Sequence, residues 1–169
     1  MRCSSTDPQP PPSVELARLS RPPNVLFLSR NYPSVALPRL GLWVEGMAVH
    51  GRNLWNCRVV APVPYCPPIP ILGENFLRYR RVPKCDVRKG VAVHHPRILT
   101  PPGLVMRHVE GFLYYAGVVG EVDRLRRSFQ FDIIHAHFTY PDGWAAVQLG
   151  KRYGVPVVIT EHASWKAWV

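Results

Sequence analysis

Residues 131–143 read FDIIHAHFTYPDG. The first half, with the β-branched pair Ile133–Ile134, has the composition of a buried strand. From Thr139 onward the residues are polar or turn-forming, and the strand gives way to a loop. The next stretch, DGWAAVQLGKRYG, has a helical pattern, opened by Asp142 as the expected N-cap and stopped by Gly154. VPVVIT, Val155–Thr160, is again an apolar β-branched run. Strand, loop, helix and strand in under 35 residues make a βαβ unit, the building block of a parallel sheet. Two histidines, His135 and His137, sit where strand becomes loop. Alternate residues of a strand share a face, so both imidazoles are expected on one side.

The same alternation extends toward the N-terminus. NVLFLS (Asn24–Ser29), CRVVAP (Cys57–Pro62) and GVAVHHPRIL (Gly90–Leu99) read as three further strands. GLWVEGMAVHGRNL, after the first strand, places Val44, Met47, Ala48 and Gly51 on one helical face. A long helix is expected from Gly103 to about Ser128. Its expected core-facing stripe is Val105, Val109, Phe112, Ala116 and Val119, and Arg124, Arg126 and Arg127 suit its negative end. The fold class is therefore α/β, a Rossmann-like open parallel sheet with helices on both faces. Ligands bind such sheets beyond the carboxyl ends of the strands, so the loops after Ser29, Ala61, His135 and Thr160 are the expected site. Residues 1–23 are rich in Pro and Ser, with PQPPP at 8–12, and are expected to form a disordered tail before a domain spanning 24–169.

The chain has 169 residues, 47% of them hydrophobic, enough for one packed core. Twenty-one Lys and Arg against 11 Asp and Glu give a net charge of +10, which points to an anionic partner. Arg78, Arg80, Arg81, Lys84, Arg88 and Lys89 concentrate that charge in one loop. They read as a solvated basic surface or, with Phe76, Leu77, Tyr79 and Trp43, as a membrane-surface patch. Nucleic acid is not expected, because no DNA- or RNA-binding motif is present. Cys3, Cys57, Cys66 and Cys85 form no CxxC pair and match no zinc template. With no signal-peptide core, they are expected to be reduced and packed. No apolar run reaches the roughly 18–20 residues that span a bilayer, so the chain is expected to be soluble or peripheral.

His135 and His137 resemble the HxH that opens some metal-dependent hydrolase sites. The further ligands and the HxHxDH spacing are absent, so no metal is expected. The histidines remain either core residues satisfied by backbone or part of a pocket. Asp142 remains a cap, or a cap that also bonds a ligand hydroxyl. Gly41 and Arg39 remain a helix-start glycine and a solvated cation, or a phosphate cradle.

The order of these motifs, a strand followed by PRLG and VEG, then VVAPVP, FDIIHAHFTYPDGWAA and GVPVVITEH, resembles the N-terminal domain of family-4 retaining glycosyltransferases of the GT-B fold. The resemblance covers about Asn24 to Val169. It implies the acceptor-side half of an enzyme that moves a sugar from a nucleotide-sugar, its co-substrate, to a glycan or lipid-linked acceptor, with no resident cofactor. A C-terminal donor domain, absent from this chain, would complete the cleft in cis or in trans, and the chain alone is expected to be inactive. Gly41 and Arg39 would meet the donor phosphates. His135, His137, Tyr140 and Asp142 would line the acceptor pocket. His162 would hold the donor sugar and stabilise developing charge. Cytoplasmic placement, at the inner face of a membrane, follows from lipid-linked acceptors. The alternative is a stand-alone Rossmann-like module binding phosphorylated or anionic lipid ligands.

Overall fold

The computed structural model describes residues 21–67, 73–100 and 107–162. Residues 1–20 of the expected tail, Val105 and the helix start at Gly103 lie outside these residues. Strand β1 is Asn24–Leu28, helix α1 Leu42–His50, and strand β2 Asn56–Val60. The short β3 (Val63–Pro64) and α2 (Glu74–Leu77) lead to β4 (Cys85–Arg88), β5 (Val91–His94) and β6 (Arg97–Ile98). Helix α3 (Arg107–Ser128), β7 (Ile133–His137), α4 (Trp144–Tyr153) and β8 (Val157–Thr160) complete the order. The main sheet runs β4-β5-β2-β1-β7-β8, and β3 pairs with β6 beside it.

Every pairing in the main sheet is parallel except β4 with β5. The expected all-parallel sheet is thus corrected by one antiparallel edge strand. CDVR is half polar, with Cys85 and Val87 exposed, so it carries no buried-strand signal. It pairs through the tight turn at Lys89 and Gly90, both with positive φ.

Side-chain alternation along β1 divides the core. Leu26 and Leu28 face α3 and α4 among Tyr114, Val118, Val122, Leu125, Ile134 and Leu149. Val25 and Phe27 face the other side with Val44 and Ala48 of α1. Helices on both faces are therefore present. The stripe expected on α3 is not the buried one. Val109 and Phe112 are exposed, and Tyr114, Val118, Val122 and Leu125 face the core. The reason lies in two glycines. A Cβ on Gly117 would meet Ile98 Cγ2 at 2.5 Å, and one on Gly111 would meet the Tyr140 and Trp144 rings at 3.0 Å. The close-packed face carries small residues that an apolar count overlooks.

Candidate functional site

The carboxyl ends of β1, β7 and β8 meet at one edge of the sheet, as parallel order dictates. His137 at the end of β7 is in register with Thr160 at the end of β8, so His162 lies just beyond its neighbour. His137 Nδ1 and His162 Nε2 are 2.9 Å apart and their rings stack at 5.2 Å. His135 stacks on His137 at 4.4 Å, and Phe27 of β1 backs both rings. The two imidazoles of HAH share one face, as the strand period requires.

His137 is fully buried, and burial, reinforced by His135 and His162, pushes its pKa down to about 3. It is neutral and holds one ring proton. Its Nε2 is buried with no hydrogen-bond partner among the described residues. A proton there would orphan an N–H donor; on Nδ1 it is donated to His162 and only a lone pair is left unpaired. The bonding therefore assigns the proton to Nδ1. His162 Nε2 accepts, so in its neutral form His162 carries its own proton on Nδ1. The ring is held as a donor whose Nδ1–H is not engaged by His137.

His135 differs from His137. It pairs through Nε2 with the Thr160 hydroxyl at 2.8 Å. Its ring lines a groove of about 420 Å³ on the sheet face, with Val25, Phe27, Trp55, Ile133 and Val158. Burial, and then His162, depresses its pKa as well. Of the two histidines expected to contact an acceptor, His137 is buried behind His162, and His135 opens onto the sheet face.

Gly41 is the N-cap of α1, with φ 69°. A Cβ there would stand 1.9 Å from the Asn31 carbonyl oxygen, so the loop admits only glycine. No side chain caps the helix. The α1 residue Trp43 is half exposed, and its ring lies 6.0 Å from that of His162. A free helix N-terminus and the His137–His162 pair thus share one locality. Arg39, two residues before Gly41, is exposed.

Asp142 corrects one expectation. Gly143, not Asp142, is the N-cap of α4. The Asp142 side chain is only 2% exposed. Its carboxylate turns inward, where Oδ1 accepts from the Arg30 amide at 2.5 Å and from the Tyr114 hydroxyl at 2.9 Å. Burial outweighs these bonds and raises its pKa to about 6. It braces the loops after β1 and β7 against α3. Tyr140 does similar work, its hydroxyl accepting the Gly111 amide at 2.8 Å. The Arg30 guanidinium bonds Glu110 of α3. Glu161 accepts the amide and hydroxyl of Thr139, which fixes the approach to His162. Arg30 and Tyr114 carried no sequence signal, because contacts 28 to 112 residues apart define their roles.

Cys57 and Cys66 are half-buried free thiols, and burial pushes Cys57 up to about 11. Cys85 is exposed, contrary to the expectation of packed cysteines, and Cys3 lies outside the described residues. Among the described residues, no group of three His, Cys, Asp or Glu could hold a metal ion. No helix there is long and apolar enough to cross a membrane.

The sequence profile of Glycosyltransferase Family 4 matches residues 76–169. A Bacillus subtilis (strain 168) protein assigned as the teichuronic acid biosynthesis glycosyltransferase TuaC is 28% identical over 142 residues, covering 83% of this chain. The chain spans 36% of that relative's length. Two structures of sucrose-phosphate synthase from Thermosynechococcus elongatus share the fold. One aligns with 85% of this chain and 33% of its own at TM-score 0.56 and 12% identity. The other covers 83% and 64% at TM-score 0.52 and 10% identity.

Proposed function

The chain belongs to Glycosyltransferase Family 4, and from that premise we propose that it is the acceptor-side half of a retaining GT-B enzyme using a nucleotide-sugar. The observation that carries the reading is the convergence of the Gly41 helix terminus and the His137–His162 pair at the strand ends. In this reading the amides at the start of α1, with Arg39, face the donor diphosphate, because a helix N-terminus favours anions. The Nδ1–H of His162 points at the donor sugar and stabilises charge as the bond to phosphate breaks. His137 sets the tautomer and tilt of His162 from behind. Tyr140 and the exposed Trp43 edge line the acceptor side, His135 supports His137 from the sheet face, and Asp142 keeps the β7 loop in place. An acidic glycan as the product is consistent with the likeness to a glycosyltransferase of teichuronic acid biosynthesis. Exposed Leu42 and Trp43, beside Arg39, suit a lipid-linked acceptor at a membrane surface.

The test is nucleotide release and product formation from a panel of nucleotide-sugars, with the donor-binding domain supplied in the same polypeptide. Transfer with retained anomeric configuration, abolished by Gly41→Val, supports the reading. Turnover unchanged by Gly41→Val sinks the assignment of the α1 terminus. The net charge of +10 favours one second reading, a binder of anionic lipid or phosphorylated ligands. Absence of sedimentation with anionic vesicles at low salt removes its membrane form.

A further inference from the structure

A second cluster of reactive side chains lies at the other edge of the sheet, remote from His162. Cys85 on β4 stands directly across from His94 on β5. The Cys85 Sγ is 4.0 Å from His94 Nε2, and His94 Nδ1 is 2.7 Å from Glu121 Oε1 of α3. His94 is 5% exposed, whereas Cys85 is open to solvent.

The bonding fixes the tautomer. A carboxylate can only accept, so at 2.7 Å the His94 Nδ1 carries the proton. Arg124 stands 3.4 Å from the same nitrogen, but Nδ1, already a donor, cannot accept from it; Arg124 is instead paired with Glu121 through Nε at 3.0 Å. Burial holds the imidazole pKa below its ordinary value, offset in part by Glu121 and assisted by Arg124 and Arg58. A neutral ring with its proton on Nδ1 turns the Nε2 lone pair toward Cys85, whose Sγ also stands 3.8 Å from the Asp86 carbonyl oxygen; rotation of the exposed S–H selects between the two acceptors. Nucleophile, base and orienting carboxylate come from three elements in the order that activates a thiol. The Arg124 guanidinium, 62% exposed, adds positive charge beside the sulfur.

We propose that Cys85, activated by His94 and Glu121, is a site of reversible S-thiolation by low-molecular-weight disulfides. The Cys85 S–H gives its proton to His94 Nε2, and the thiolate attacks one sulfur of the small disulfide. The S–S bond of the reagent breaks as the Cys85–sulfur bond forms. The departing thiolate takes the proton back from His94, leaving a mixed disulfide and one free small thiol. No other oxidant is needed. The modified sulfur would sit on the edge strand that Arg88 and Lys89 tie to Glu45 of α1, at 2.9 and 2.7 Å.

The test uses the 169-residue chain and oxidised glutathione at neutral pH, with the mixed disulfide at each cysteine quantified by peptide mass spectrometry. Folding ordinarily slows thiol exchange, so the informative comparison is one thiol in two states. Cys85 should react about tenfold faster in the folded chain than in the same chain denatured. His94→Asn and Glu121→Gln should each remove most of that advantage, and their rates in denaturant should match the unaltered chain. Glu121→Gln leaves the buried imidazole in place, so it reads the effect even where His94→Asn weakens the fold. A folded-state rate at or below the denatured rate, or a Cys85 rate unmoved by Glu121→Gln, overturns the proposal.

Discussion

Lowering the pH from about 7.5 to about 4.5 should act on this fold through two buried groups of opposite sign. His137 is held near 3 in the folded chain against an ordinary 6.5. The unfolded chain therefore takes up a proton first, and stability present above 6.5 is lost as the pH falls toward 3. At about 1.4 kcal/mol per unit, the two units between 6.5 and 4.5 remove about 3 kcal/mol. Asp142 runs the other way, its folded pKa raised from 3.8 to about 6. The folded chain takes up that proton first, so stability is gained as the pH falls through 6, by about 2 kcal/mol at pH 4.5. The unaltered protein should lose about 1 kcal/mol from this pair, and more from His135 and His94, both also depressed by burial. His137→Gln keeps a hydrogen-bonding side chain but cannot titrate. Its change in stability across the interval should therefore differ from that of the unaltered protein by about 3 kcal/mol in favour of the variant at low pH. Urea unfolding followed by tryptophan fluorescence at both pH values measures the difference. Parallel pH dependences, agreeing within about 0.5 kcal/mol, would mean that His137 is not a buried neutral imidazole, and the tautomer assigned to His162 would fail with it.

Four further variants have expected outcomes. Gly41→Ala places a Cβ on the Asn31 carbonyl at a left-handed backbone position; it should lower stability by at least about 2 kcal/mol, read as a reduced urea midpoint. Tyr114→Phe deletes a buried hydroxyl donor to the Asp142 carboxylate and should cost about 1.5–3 kcal/mol by thermal denaturation, with a loss below about 0.5 kcal/mol speaking against the brace. Gly117→Val would push α3 off Ile98 and the Arg97 carbonyl; calorimetry should show a lowered melting temperature from overpacking of about 1–3 kcal/mol, whereas Gly120→Ala, facing open space, should be neutral or slightly stabilising.

Strand β1 was legible in the sequence because it is buried along nearly its whole length between helices on both faces; β2, β7 and β8 were legible as apolar β-branched runs, although Val158 and Ile159 of the edge strand β8 are exposed. Edge strand β4 was not, since Cys85 and Val87 face solvent and leave no alternation against a polar background. The helical period of α3 was legible but its phase was not. Gly111 and Gly117 mark the buried side by close approach, which only a neighbour's position reveals. At the site, the shared face of His135 and His137 followed from the strand period alone. Their bonds did not: the β7–β8 register brings His162 to His137. Asp142 had the sequence context of a helix cap, and its inward turn toward Arg30 and Tyr114 depends on residues 112 and 28 positions away.

The central claim is that His162, held from behind by His137, meets the donor sugar in the transition state. Steady-state sugar transfer by the protein with its donor-binding domain, comparing the unaltered enzyme with His162→Ala, tests it most directly. The account predicts a fall in kcat of about a hundredfold or more with the acceptor KM within about twofold. An unchanged kcat, or a loss confined to the acceptor KM, would contradict it.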